Sequence, residues 1–313
     1  MNDMPNPEQL DTPTDNNVSR ADLTEAVRAT ALLADLTISL WSGERTDRTL
    51  GEQIKADAGA VGNTGRYLKN LLAGCDTELK EVRAAYTAAR QVHYTLTLPW
   101  VSNPTLARQA GPRLLPNMLF DKYLTNMSQL RRQAHTELDR FVAAYPDLVV
   151  RAQANLAGLA KPEDYPTAEQ VRGLFKLTFD FSPIPAATAF TGLPDGMLER
   201  LGAQLRRRQE TAVAASQAAM WERVRESVGH LADRLADPKT IFKENTVDGV
   251  KELIMLLPGF NCAGDDRVTT VVEDIKRMLY DVDAQKLRKN QGVRADVVKQ
   301  AHAISAKLDQ WGL

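Results

Sequence analysis

Three stretches of the chain alternate apolar and polar residues with a period of two, the mark of strands with one buried face. In LADLTISLWSG the apolar set is Leu36, Ile38 and Leu40; in QVHYTLTLPW it is Val92, Tyr94, Leu96 and Leu98; in LFKLTFDFSPIP it is Phe175, Leu177, Phe179 and Phe181. The opposite faces carry Thr37, Ser39 and Trp41, then His93, Thr95 and Thr97, then Lys176, Thr178 and Asp180. A lone hairpin is marginal in water, so the economical assembly is one small three-stranded sheet with its apolar side on helices and its polar side toward water or a ligand. Pro99 and Pro183 close two of the strands, because proline cannot extend the ladder.

Helical periodicity governs the rest. A short helix, ADLTEAVRATALLA, begins order near Leu23, with Asp22 and Glu25 at the positive end of its dipole. From 119 to 148, Leu119, Tyr123, Leu130, Ala134, Phe141, Tyr145 and Leu148 recur at spacings of three, four and seven, which predicts a helix of roughly 30 residues, about 45 Å long, broken where Pro146 interrupts. A longer helix starts near Met197. Its second half steps through Trp221, Val224, Val228, Leu231 and Leu235 as a heptad seam, and the two long helices are natural antiparallel partners. Three C-terminal helices follow around 245–257, 266–288 and 293–311, the first stopped by Pro258-Gly259.

The expected fold is therefore α+β and predominantly α-helical: a small three-stranded sheet, two long antiparallel helices and a C-terminal helical bundle. Residues 1–20, rich in Pro, Asn and Asp and without periodicity, read as a disordered tail. The sheet and first long helix occupy 21–192. The second long helix and the C-terminal helices occupy 193–313, as part of one elongated domain or as a second subdomain.

Composition narrows the function. With 39 Lys plus Arg against 40 Asp plus Glu, the net charge is -1, so no global field draws the chain onto nucleic acid or an anionic membrane, and either would need a local patch. Cys75 and Cys262 lie far apart without zinc or CxxC spacing, which suits a reducing compartment such as the cytoplasm. No signal-peptide pattern opens the chain, and no run approaches the roughly 18 apolar residues of a spanning helix, so no membrane association is expected.

Candidate chemistry is sparse. GAVGNTGRYLKN fits neither nucleotide-loop template, yet Gly65, Arg66 and Lys69 could hold an anion where a glycine-rich turn enters a helix; the plain alternative is a connection with unusual backbone angles. His93, His135, His230 and His302 are scattered, so no metal or other cofactor is expected. His93 would share the polar sheet face with Lys176 and Asp180, as an acid/base group or as a hydrogen-bonded surface histidine. There is no nucleophile elbow, and no catalytic residue is assigned. Arg206, Arg207 and Arg208, with Arg131 and Arg132, could form a basic stripe for nucleic acid or simply a solvated cluster. In LPWVSNPTLARQAGPRLLP, Trp100 and Arg113 pair an aromatic with an arginine, as binding hot spots do. The structural reading is a joint: Trp100 plugs the sheet–helix junction and Arg113 ties the loop through backbone carbonyls or a carboxylate.

ISLWSGERTDRTL, GAVGNTGRYLKNLLAG, ARQVHYTLTLPW, GPRLLP followed by Tyr123, DYP at 164–166, FDFSPIP, and LLPGFNCAGDDRV ahead of LRKN together resemble domain-of-unknown-function family 3150, found largely in bacteriophages and prophages. The resemblance runs from about Thr37 to the C-terminus. It implies no activity. It does imply a genomic neighbourhood of AAA-type ATPases of the MoxR class and proteins with von Willebrand A domains. The expectation is a non-catalytic phage adaptor or scaffold in the host cytoplasm that binds a protein partner, an ATPase assembly of that kind. The alternatives are a nucleic-acid-binding protein of phage DNA metabolism and an enzyme working on the polar sheet face.

Overall fold

The computed structural model describes residues 20–101, 111–186, 191–236 and 244–313. The expected tail lies outside them except for Arg20, which opens the first helix. The fold is mostly helical α+β, with a four-stranded antiparallel sheet, a separate two-stranded sheet and long helices.

The main sheet is assembled from distant pieces. Helix α1 (Arg20–Thr30) ends four residues before the predicted boundary, and β1 (Ala31–Ser39) follows directly. Further elements are β2 (Glu44–Thr46), α2 (Arg48–Asp57), β3 (Leu68–Asn70), α3 (Thr77–Leu96), β4 (Leu98–Pro99) and β5 (Arg113–Pro116). Then come α4 (Phe120–Leu156), α5 (Ala168–Gly173) and β6 (Lys176–Ser182). Strand order is β4-β5-β1-β6, with β2 and β3 forming the second sheet. β1 pairs with β6 over Leu33↔Ser182 to Ser39↔Lys176 and with β5 over Ala31↔Pro116 to Ala34↔Arg113.

One expected strand is a helix. Residues 92–96 close α3, and only Leu98 and Pro99 enter the sheet. The buried face of α3 runs Leu79, Val82, Tyr86, Ala89, His93, Leu96, stepping three and four, so the apparent alternation of Val92, Tyr94 and Leu96 is a local accident inside a heptad seam. His93 consequently points into the core and not onto a polar sheet face. The GPRLLP segment supplies the missing strand, β5, whose four residues are all buried. Trp41, expected on the polar face, is buried as well, stacked edge-on against Tyr145 at 5.7 Å and near Phe141 at 6.3 Å.

Helix α4 continues through Pro146 to 37 residues, about 55 Å. Proline there forfeits one backbone bond and crowds the preceding turn, but Tyr145 and Leu148 on either side are 2% and 0% exposed, and their burial holds both halves in line.

The helix partners also differ from expectation. α4 packs along α3: His93 at the end of α3 meets Tyr123 at the start of α4, while Glu81 near its beginning faces Arg140, so this pair is antiparallel. The second long helix, α6 (Asp195–Ala236), does bury its Trp221-to-Leu235 seam, but against α10 (Gln291–Gln310) and not against α4. Arg294 at the start of α10 donates to the carbonyls of Leu235 and Arg234, while Arg225 pairs with Asp309 at the other end. The seams of α3 and α10 match their long partners in step.

Between them lie α7 (Glu244–Phe260), α8 (Asp266–Met278) and α9 (Ala284–Lys289), so the predicted 266–288 helix is two. α7 runs past Pro258 to Phe260, with Gly259 pressed against Leu119. A Cβ there would lie 3.0 Å from two Leu119 carbons. Gly259→Ala should therefore cost about 1 kcal/mol net, overpacking outweighing the gain in helix propensity. Urea unfolding measures it; a stabilised variant would mean Leu119 can yield.

Candidate functional site

The last turn of α3 is where most of the unusual polar chemistry gathers. A helix end leaves carbonyls without intrahelical donors, and here side chains supply donors in their place. Thr97 Oγ1 donates to His93 O at 2.5 Å. Arg223 of α6 donates to Tyr94 O at 2.8 Å, Thr95 O at 3.2 Å and Thr97 O at 2.6 Å. Arg113 of β5 donates through Nε to Thr97 Oγ1 at 2.7 Å and through a terminal nitrogen to Thr97 O at 3.2 Å. Two guanidinium groups thus sit at the negative end of the α3 dipole. Burial pushes both down to about 10; the charge of Arg223 adds to this for Arg113, and Glu226 opposes it for Arg223. Both stay cationic at neutral pH.

Arg113 is 6% exposed, its guanidinium 4.5 Å from the Tyr94 ring centroid, and Trp100 is half-buried against the core. Ser216 of α6 donates to Pro99 O at 2.6 Å, so β4 is pinned from the helix side too. Arg113 ties the chain through a backbone carbonyl, the geometry of a joint. Residues 102–110, most of the Trp100–Arg113 segment, lie outside the described residues.

His93 belongs to this cluster. Its Nδ1 is 2.8 Å from Tyr123 Oη, and burial, helped by the Arg113 charge, pushes its pKa down to about 4. Lys176 and Asp180, its expected neighbours, are on β6, exposed and facing away from this core.

Above the joint runs a groove of about 570 Å³ between α3, α6 and α7. Leu253 and Leu256 form its floor with Arg223; exposed Arg90, Glu226 and Glu252 stand on its rim. No local pattern in the sequence marks it, because its walls come from three helices remote in the chain.

The proposed anion triad is divided. Gly65, with φ +112°, and Arg66 line a polar hollow of about 490 Å³ with Arg48 and Lys55, but Asp47 and Glu52 line it too. Lys69 faces away. Its side chain is 1% exposed and is held by Asp47 at 3.3 Å, by Asp164 and by the carbonyl of Leu159 at 2.9 Å. Arg45 reaches Asp164 at 3.1 Å and Lys161 reaches Asp47 at 3.5 Å. Asp47 also caps α2 by accepting from Leu50 N. Lys69 is thus the centre of an ion cluster that fastens the two-stranded sheet to residues 159–164, its ammonium taken up by two carboxylates and a backbone carbonyl.

Arg206, Arg207 and Arg208 are all exposed on α6, and Arg207 and Arg208 share a surface hollow with Arg200. Arg131 lies apart from them, 5.0 Å over the Phe179 ring. Cys75 and Cys262 are buried free thiols, and burial raises Cys262 to about 11. Among the described residues no group of three or more His, Cys, Asp or Glu side chains is placed to hold a metal ion, and no helix is long and apolar enough to cross a membrane. Comparisons with protein-family models, with curated proteins and with solved structures gave no match.

Proposed function

We propose that this chain is a phage-type adaptor or scaffold that grips a protein partner in the host cytoplasm and performs no chemistry of its own. The observation that carries the reading is the groove between α3, α6 and α7. It joins an apolar floor to a rim of both charge signs, which suits a protein segment that buries a few apolar side chains and aligns its charges at the edge. The groups with the most displaced pKa values, His93, Tyr123, Arg113 and Arg223, are engaged in holding α3, α4, β4 and β5 together. The partner class is an AAA-type ATPase of the MoxR class or a von Willebrand A protein, which rests on the family resemblance alone.

The test is capture of a purified MoxR-class ATPase from the same genome by the tagged chain, with the rim reversed in Arg90→Glu plus Glu252→Lys. Both side chains are exposed, so melting should be unchanged while capture falls at least tenfold. Equal capture by parent and variant would remove the groove from the reading. Trp100→Ala and Arg113→Ala belong in the same experiment: a lowered melting temperature marks the joint, whereas normal melting with lost capture would move the binding surface to that corner.

A second reading has its own observation, the hollow shared by Arg200, Arg207 and Arg208. Nucleic-acid binding there would weaken steeply with salt, and a gel shift at two salt concentrations separates it from protein capture.

A further inference from the structure

Among the described residues the outer edge of β6 takes no strand partner. β6 ends the strand order β4-β5-β1-β6, and among the described residues its backbone bonds run to β1 alone. Exposed sheet edges are ordinarily guarded by prolines, bulges, very short strands, charged side chains or a covering element; among the described residues β6 has only the charges, and since Lys176 and Asp180 are of opposite sign they can complement those of a second copy. β6 has seven residues, no proline, and Phe181 at 36% exposure. Its polar face carries Lys176, Thr178 and Asp180, and neither charge takes part in an ion pair among the described residues. Asp180 moreover stands directly across from Asp35 of β1, an unfavourable like-charge pair.

We infer that β6 pairs with β6 of a second copy of this chain, antiparallel about a two-fold axis through Thr178. A two-fold contact requires residue i to face j and j to face i. Centred on Thr178, Lys176 faces Asp180 of the second copy, and the same ion pair forms again on the other side of the axis. Leu177 faces Phe179 on the opposite, helix-covered side. Each Asp180 gains a cation beside its unfavourable neighbour Asp35. Moving the axis by one residue to Phe179 sets Asp180 against Thr178 and Lys176 against Ser182, which forms no ion pair. Centring it on Lys176 or on Asp180 sets like charges against each other. Only the Thr178 register is charge-complementary. The product is a continuous eight-stranded sheet across two copies.

Sedimentation equilibrium of the full chain tests this, with Lys176→Glu and Asp180→Lys as variants. The parent should run at twice its 34.6 kDa mass. Each single variant places two like-charge pairs across the axis and should weaken self-association about tenfold or more. An equimolar mixture of the two variants should restore it. In the mixed dimer the glutamate introduced into one chain meets the lysine introduced into the other, and the unaltered Asp180 of the first chain meets the unaltered Lys176 of the second. That rescue rules out simple misfolding, as does an unchanged circular-dichroism melt. A parent that stays monomeric up to about 0.1 mM overturns the inference. So do variants that associate within twofold of the parent, or a mixture that fails to recover.

Discussion

Acidifying the protein from pH 7 to pH 4 should weaken the fold by roughly 3 kcal/mol through His93 alone. Its imidazole has a pKa of about 4 in the fold against 6.5 in a free chain. Between those values the unfolded chain binds a proton that the folded chain refuses. The stabilisation is therefore complete above 6.5 and is lost as pH falls toward 4. The cause is spatial: the ring sits on the buried seam between α3 and α4, beside Tyr123 Oη and near the Arg113 charge. Urea unfolding at pH 7 and at pH 4 measures the slope, and His93→Gln, which can still bond Tyr123, should flatten it. Asp47 adds little over this range, because its pKa is lowered from 3.8, chiefly by its bond from Leu50 N with Lys69 and Lys161 helping, so its contribution begins to fade as pH nears 4 and is lost mainly below 3.8. Equal acid sensitivity in parent and variant would place the titrating group elsewhere.

Removing Lys69 should cost about as much. Lys69→Ala would leave Asp47 and Asp164 facing one another with no cation between them and would strip Leu159 O of its donor. Breaking one side of a buried ion pair costs about 3–5 kcal/mol, and about 3 is expected here because Arg45 and Lys161 remain to share the load. Burial opposes the lysine charge, but its bonds to Asp164 and Asp47 outweigh that and raise its pKa above 10.5. The cluster therefore holds through neutral pH and yields only as pH climbs past that raised value. Lys69→Met with Asp164→Asn, which removes charge from both sides, should lose less than Lys69→Ala. A Lys69→Ala protein that melts with the parent would show the cluster to be ornamental to stability.

What the sequence reveals and hides follows from range. The heptad seam of α6 and the long apolar run of α4 are legible because each is written within one helix. The identity of their partners is not, since the seams on α3 and α10 repeat the same three-and-four step and nothing local says which lies beside which. Val92, Tyr94, Leu96 and Leu98 mislead because their spacing of two is accidental: only Leu96 lies on the buried seam of α3, Tyr94 is exposed and Leu98 belongs to β4, and the three-and-four pattern back to Leu79 distinguishes them. β5 escapes notice as four residues that follow Pro112 and end on Pro116, too short to carry a period. For Trp100 and Arg113 the joint is one of two options open to the sequence, and the bonds to Thr97 can be anticipated only as bonds to some carbonyl. Lys69 looks available because its two carboxylates, Asp47 and Asp164, lie 22 positions before it and 95 after (69 − 47; 164 − 69).

The central place of β1 in the sheet has a temporal side. Leu33 pairs with Leu114 and Ser182, which lie 81 and 149 positions later (114 − 33; 182 − 33). At about 5–20 residues per second of synthesis, β1 emerges roughly seven to thirty seconds before β6 exists to cover it. Until β5 and then β6 arrive, Leu32, Leu33, Leu36 and Ile38 belong to an apolar strand with bare edges. Closing so wide a loop is slow by topology alone. Newly made chains should therefore pass through a sticky, chaperone-dependent stage, and yield in the cell should respond more to growth temperature and chaperone supply than the stability of the finished protein would suggest.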